Sequence, residues 1–483
     1  MIDTNDFYVD IHLHPTLKPF LVKELHSPWH ANNHVPLSQR LRRSMRVTQS
    51  DFSTLLEGGV RVIWHSLHTL ERYTLSKLIT SPRIMSQFLK MDIERLRQIV
   101  SCRPIRILQE ELSYLKENLK CPDGEAEAVI VKNYDELIQT LASPNKLAII
   151  LTIEGAHNLG FEYVDNTFPH AGQKVNITNT ILEGAEELSE ALIQERVRFM
   201  KQNHIFMLTL NHFVFNQLAS MPKAIELTGI SKRILHNPIR SLDSLGKYRG
   251  LTFLGYSMVE RCMENNIIID LKHCDAVTRH QIYAIAARYQ KPVVGSHIAC
   301  SGRKTNFRAH TLLKKTEDTF EDRQKSEIFN PWDLNFHDDD IVAIHKLGGL
   351  LGLILDRRVL SSVKAFELAK RTGNWLQLLF NQIEHIYKVL LAAGIPPAQA
   401  FDSICIGSDY DGFIEPLPNV THSAEFRYKE ERDGKTLRLD NGLVDYFTRN
   451  YAIYQDSGLN PETIKNKILR DNAMEFLKKH FCS

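Results

Sequence analysis

Eight short runs rich in apolar and β-branched residues recur along the 483-residue chain, and helical patterns separate most of them. The runs span Tyr8 to His12, Val60 to Trp64, Leu147 to Thr152, Ile205 to Leu210, Ile267 to Leu271, Pro292 to Gly295, Gly349 to Ile354 and Ile404 to Gly407. Their apolar residues are near-continuous rather than strictly alternating. That predicts strands buried on both faces, as in a parallel sheet. Apolar residues at helical spacing over 276–290 and 365–393 supply crossover helices. Eight βα units predict an α/β fold of the (β/α)8 TIM-barrel type. A doubly wound open sheet is the alternative, but no Gly-rich phosphate loop follows the first run to support it.

The chain reads as one barrel domain over residues 1–483. Insertions near 71–146 and 300–340 are too long for a minimal barrel and are expected over one rim. The first holds helical segments over 86–99 and 107–118, and the second is polar and charged. A closing helix is expected over 461–481.

Composition narrows the function classes. With 43% hydrophobic and 24% charged residues, the chain suits a soluble globular protein with a large core. Its 59 basic and 57 acidic residues leave a net charge of +2, which gives no footprint for nucleic acid or membrane. The longest apolar run, Leu347 to Leu355, contains glycines and is far short of a span. The start, MIDTNDFYVD, lacks an apolar signal core. The seven cysteines are odd in number and show no C-x-x-C spacing, so free thiols in a reducing cytoplasm are expected.

Several predicted strands end in residues able to bind a metal. The first ends in Asp10-Ile11-His12-Leu13-His14, and positions i and i+2 of a strand face the same way, so both histidines can enter the barrel mouth. The third ends in Glu154, where an unpaired carboxylate after an apolar run would be costly. It is either a buried salt bridge or a carboxylate bridging two metals. The fifth, sixth and eighth end in His273, His297 and Asp409. Barrel enzymes build their active sites at these C-terminal ends. His12, His14, Glu154, His273 and His297 suit two divalent ions, with zinc the default. Such ions lower the pKa of bound water and polarise a scissile carbonyl. Asp409 would take the water's proton and pass it to the leaving nitrogen.

The segments Glu154-Gly155-Ala156-His157, Leu208-Thr209-Leu210-Asn211-His212, Gly250 to Gly255, Ile269 to His273, Gly295-Ser296-His297 and Gly407 to Gly412 occur in that order. They resemble motifs of the membrane (renal) dipeptidase-like family, peptidase family M19 of the amidohydrolase superfamily. The resemblance runs from residue 10 to about 412. It implies a metal-dependent hydrolase that cleaves an amide in a small dipeptide-like or N-acyl amino acid-like substrate. It implies that Glu154 bridges two metals, that His12 binds the first, and that His273 and His297 bind the second. By the same resemblance His212 holds the substrate carbonyl or developing oxyanion, and Asp409 is the proton-transfer group. A homodimer is implied by the same analogy.

Two departures stand out. His14 replaces the family's aspartate in H-x-D. Leu334 stands where the family has an arginine that grips the substrate carboxylate. Arg303 or Arg308 could replace that arginine, and His157 and Asp411 are further candidate substrate contacts. His65 and His68 could line the pocket, whereas His26, His30 and His34 read as a solvated loop. Two other functions stay open: a TatD-like metal-dependent phosphoesterase or nuclease, and a non-catalytic barrel that binds a metal or a partner. The L-T-L-N-H and G-S-D-Y-D-G segments favour the dipeptidase-like branch over the first, and Asp409 weighs against the second.

Overall fold

The computed structural model describes residues 7–22, 27–29, 47–71, 94–95, 98–99, 102–161, 189–213, 216–222, 250–305 and 320–482, with backbone alone at 320–322. Arg308, His26, His30 and His34 lie outside these residues, as do most of the 86–99 segment and the middle of 300–340.

One parallel sheet contains β1 (Tyr8–Leu13), β2 (Val60–Leu67), β3 (Glu127–Ile130), β4 (Lys146–Glu154), β5 (Met207–Thr209), β6 (Ile268–Asp270), β7 (Val293–Ile298), β8 (Leu350–Leu353) and β9 (Ile404–Ile406). The order β1-β2-β4-β5-β6-β7-β8-β9 carries all eight strands read from the sequence. The ring closes where Leu13 bridges Tyr410. There the His14 N–H donates to the Tyr410 carbonyl at 2.8 Å and the Asp409 N–H to the His12 carbonyl at 2.9 Å. The (β/α)8 barrel is therefore observed, and its seam lies among the residues singled out for chemistry.

β3 is the strand that the sequence pattern did not reveal. It is four residues long, mostly half-buried, and begins on Glu127, so it lacks the apolar run of a buried strand. It pairs with β4 from Lys146 to Ile149, while β5 joins β4 only from Thr152 to Glu154. β3 thus covers the first half of β4, before the stretch where β5 pairs with it.

Strand alternation sorts the core into two layers. Val62, Trp64, Ala148, Ile150, Met207 and Ile268 cluster inside the barrel with Phe476 and Phe481 of the C-terminal segment. Ile63, Ile149, Leu208, Ile269 and Leu271 belong to the cluster between sheet and helices. Trp64 meets Phe206 and Phe476 with ring centroids 5.2 and 5.9 Å away, so aromatic rings plug the end of the barrel opposite the site.

The helix Ala276–Tyr289 forms as expected, capped by the Asp275 carboxylate, which accepts from the Thr278 N–H. The helix expected over 365–393 is two helices, Val363–Thr372 and Gln377–Ala392. The first ends at Gly373, whose φ of 74° satisfies a left-handed cap. The closing helix runs as Pro461–Asn466, a π-type turn at Lys467–Asp471, and Asn472–His480. The Asn472 amide donates to the Phe401 and Ile404 carbonyls at 2.6 and 2.8 Å, which ties this helix to β9. Among the described residues, no helix is long and apolar enough to cross a membrane.

Candidate metal centre

Local backbone features bring the strand ends together. β1 shifts register between Asp10 and Leu13. There the Asp10 carboxylate accepts the His12 and Ser408 N–H groups at 3.2 and 3.0 Å, joining the ends of β1 and β9. After β4 the chain turns at Gly155, with φ 89°, where a Cβ would collide with the His157 ring. After β9, Asp409 adopts φ 61°, and a Cβ on Gly412 would collide with the Asp409 carboxylate. Both glycines therefore make room for a site side chain, which only a residue without Cβ can do.

Glu154 is the hub. Its Oε1 lies 3.2 Å from His273 Nε2, 3.4 Å from His297 Nε2 and 3.5 Å from His12 Nε2. Its Oε2 lies 3.2 Å from His14 Nε2, 3.5 Å from His68 Nδ1 and 3.9 Å from His212 Nε2. Asp409 Oδ1 is 3.5 Å from His14 Nε2 and 3.8 Å from His12 Nε2. The structure thus brings together all seven of His12, His14, Glu154, His212, His273, His297 and Asp409. His12 stacks on His297 with centroids 3.9 Å apart.

Partners behind the ring set the tautomers. His14 Nδ1 donates to the Ser66 carbonyl at 3.0 Å, and His68 Nδ1 to the Glu154 carbonyl at 3.0 Å. A carbonyl only accepts, so in each neutral ring Nε2 keeps its lone pair. At β7 the Ser296 hydroxyl donates to Asp270 Oδ2 at 2.6 Å, which obliges His297 Nδ1 to donate to Ser296 Oγ at 2.8 Å. His297 Nε2 then keeps its lone pair and lies 3.3 Å from His273 Nε2 and 3.4 Å from Glu154 Oε1. A metal-binding imidazole is usually oriented in this way, by a carbonyl or carboxylate on its other nitrogen.

The donor set fits a divalent ion. Two ligand atoms about 2.1 Å from one tetrahedral ion lie roughly 3.4 Å apart. The Glu154 separations to its four nearest histidine Nε2 atoms span 3.2 to 3.5 Å. His12 is fully buried, and neither of its ring nitrogens makes a hydrogen bond among the described residues. An unsatisfied buried polar group costs about 1–3 kcal/mol, and a cation between His12 and Glu154 would remove that cost. Among the described residues, three ligand trios lie close enough to hold an ion: His12, Glu154 and His297; His12, His14 and Asp409; and His68, Glu154 and His212.

Charge follows this geometry. Burial lowers the affinity of His14 for a proton, but Asp409 and Glu154 outweigh it and lift the ring to about 10. Burial takes His273 down to about 3 and also pushes His297 well below the usual imidazole value. Asp409 is raised by burial, opposed by His14 and His12.

The other expected site residues sit differently. Asp411 is buried, with Lys18 Nζ 2.8 Å from its Oδ1. It also accepts from the Gln49 and Ser50 N–H groups and the Ser50 hydroxyl. These donors occupy the carboxylate, so Asp411 anchors the loop after β9 instead of offering acceptors to a substrate. His157 Nε2 donates to the Thr69 carbonyl at 2.8 Å, and its ring lies 5.4 Å from that of His68. Arg303 is half-buried and donates to the Pro331 carbonyl. Leu334 and Trp332 form a small buried cluster against Phe213, whose ring lies 4.2 Å from His212 and 4.9 Å from His273. The wall on this side of the centre is therefore apolar.

Three residues at the centre were not singled out as site residues from the sequence. Glu71 lies against His212, Glu111 lies behind His68, and Lys272 is buried beside His273. Only Lys272 had a visible signal, a lysine at the end of a buried strand.

No protein-family model and no curated protein sequence matches the chain. Solved structures do match, and they share the barrel fold. One described as a dipeptidase of family M19 superposes with a TM-score of 0.56 at 12% identity, covering 99% of both chains. A metallopeptidase from Rhodobacter sphaeroides, solved with a phosphinate mimic of the dipeptide L-Ala-D-Ala, gives 0.54 at 13% identity over 98% of this chain and 99% of its own. The probable dipeptidase PvdM from Pseudomonas aeruginosa gives 0.52 at 12% identity over 99% and 96%. At these identities the likeness is one of fold, and it spans nearly the whole chain.

Proposed function

We propose that the chain is a metal-dependent hydrolase that cleaves an amide in a small, dipeptide-like or N-acyl amino acid-like substrate. The observation that carries this reading is the Glu154 carboxylate, whose two oxygens face different sets of imidazoles while His12 keeps both nitrogens unsatisfied. The fold shared with metallopeptidases supports it. His12, His14, Glu154 and Asp409 would hold one divalent ion, and Glu154, His273 and His297 a second, with zinc the natural choice for this set. Bound there, the ions would supply Lewis acidity and an acidified water.

The protein's own groups do the rest. Asp409 takes the attacking water's proton and delivers it to the leaving nitrogen. His212 donates from Nε2 to the substrate carbonyl oxygen as charge develops there, and Glu71 holds its other nitrogen. Phe213, Trp332 and Leu334 offer an apolar face, so the substrate group on that side is uncharged.

The test is a panel of dipeptides, N-acyl amino acids and phosphodiesters, offered to protein supplied with zinc, manganese or cobalt. Amide cleavage abolished by a chelator supports the reading. Cleavage of phosphodiesters alone would replace it with a phosphoesterase, and no turnover with any metal would replace it with a non-catalytic barrel.

A further inference from the structure

Asp409 sits on a turn that the backbone alone does not favour. Asp409, Asp411 and Phe413 adopt φ of 61°, 66° and 61°, a region that residues other than glycine seldom enter and keep only where surrounding contacts impose it. One set of contacts is with β1, where the Asp409 N–H donates to the His12 carbonyl and the His14 N–H to the Tyr410 carbonyl. Another lies within the turn. The Asp409 carboxylate rests so close to Gly412 that a Cβ there would overlap Oδ1, so a shift of the turn shifts the carboxylate.

The third set is at Asp411, between these two. Lys18 and Asp411 are both buried, with Nζ 2.8 Å from Oδ1. Lys18 also donates to the Val47 carbonyl at 2.9 Å. The Gln49 N–H donates to Asp411 Oδ1 at 3.0 Å, and the Ser50 N–H and hydroxyl donate to Oδ2 at 2.8 and 2.6 Å. In return the Asp411 N–H donates to Gln49 Oε1 at 3.1 Å. Lys18 lies on the helix Leu17–Leu21 that follows His14. One carboxylate thus joins the tail of β1, the 47–50 segment and the turn after β9. A buried ion pair often adds little net stability, so stability alone does not account for one at this place.

We propose that the Lys18–Asp411 pair is a positioning device. It holds the turn in the left-handed form that sets Asp409 Oδ1 3.5 Å from His14 Nε2 and 3.8 Å from His12 Nε2, where Asp409 can share their ion and carry the proton. This rests on the metal-dependent reading above. Lys18 and Asp411 act only through Asp409.

The test is a double-mutant cycle between Asp411→Asn and Asp409→Asn, read by competition titration with zinc and by Tm. The zinc step to follow is the one that Asp409→Asn weakens. Asp411→Asn should weaken that step by about 10–100-fold, the usual cost of losing a group that orients a ligand. In the Asp409→Asn background it should add less than about threefold, while its cost in Tm should be the same in both backgrounds. With a confirmed substrate, kcat at saturating zinc should fall by on the order of 10²-fold, again only while the Asp409 carboxylate is present. Asp411→Asn leaves the Lys18 ammonium buried alone. If that variant does not fold, Lys18→Met combined with Asp411→Asn removes both charges and carries the same expectation. An unchanged zinc step or an unchanged kcat in the Asp411 variant would overturn the inference and leave the metal centre standing. So would an equal loss with and without the Asp409 carboxylate, or an Asp409→Asn variant in which no zinc step weakens. Wild type that binds no zinc would overturn the metal centre together with the inference.

Discussion

Glu71 and His212 form a buried carboxylate–imidazole pair, with Glu71 Oε1 2.5 Å from His212 Nδ1 and also accepting the Phe213 N–H at 3.1 Å. Burial works against both charges. His212 nevertheless holds Glu71 well below the usual carboxylate range, and Glu71 and Glu154 lift His212 above the usual imidazole value. The pair leaves His212 Nε2–H turned toward the Glu154 side of the centre. Glu71→Gln keeps the shape and removes the charge. With a confirmed substrate, kcat should fall on the order of tenfold to a hundredfold, since aimed donors of this kind contribute at least that much, with metal content unchanged. An unaltered kcat would remove His212 from the carbonyl-binding role.

Asp409→Asn should fold and keep at least one bound metal while losing about 10²–10⁴-fold in turnover, the usual contribution of an acid–base group. The comparison is kcat at saturating metal. A variant within about threefold of wild type, far short of that range, would show that Asp409 only braces His12 and His14.

Ser296 never touches the proposed ions, yet it fixes the His297 tautomer through Asp270. Ser296→Ala should weaken metal binding at His297 by about 10–100-fold, the usual cost of losing such support. A competition titration against a chromophoric chelator reads this directly. Unchanged affinity would mean that packing alone orients the ring.

Much of this centre was legible from one fact: strand ends in a parallel barrel converge. His12, His14, Glu154, His273, His297 and Asp409 each close an apolar run, and the barrel brought them to one carboxylate. Glu71 and Glu111 were not legible, because each reaches the centre from a segment with no local pattern that points there. Asp411 read as a candidate substrate contact within the Gly407 to Gly412 segment, but the left-handed turns at Asp409 and Asp411 aim its carboxylate at Lys18. The strand β3 escaped for a related reason, since a short half-buried strand lacks the apolar run of a barrel stave.

Glu111 gives a pH prediction. It accepts from Thr16 Oγ1 at 2.8 Å and the His68 N–H at 3.0 Å, and burial raises it from 4.5 to about 8 against those donors. Between these values the folded chain holds a proton that the unfolded chain has released, so this group's contribution to stability is full below 4.5 and is lost as pH rises through about 8. Glu111→Gln in metal-free protein should therefore flatten the fall of Tm across that window. It should also lower Tm overall, because the two donors reach different oxygens of Glu111 and the amide's NH2 group cannot accept in place of one of them. A slope identical to wild type would mean that Glu111 is ionised in the fold.

The central claim is that Glu154 organises a divalent-metal centre, and elemental analysis by plasma mass spectrometry tests it most directly. Protein purified without chelator and supplied with zinc should retain at least one divalent ion per chain after desalting, and Glu154→Gln, folded by circular dichroism, should lose at least one of the ions bound by wild type. A wild-type chain that retains no metal, or a Glu154→Gln variant that retains as much as wild type, would contradict it.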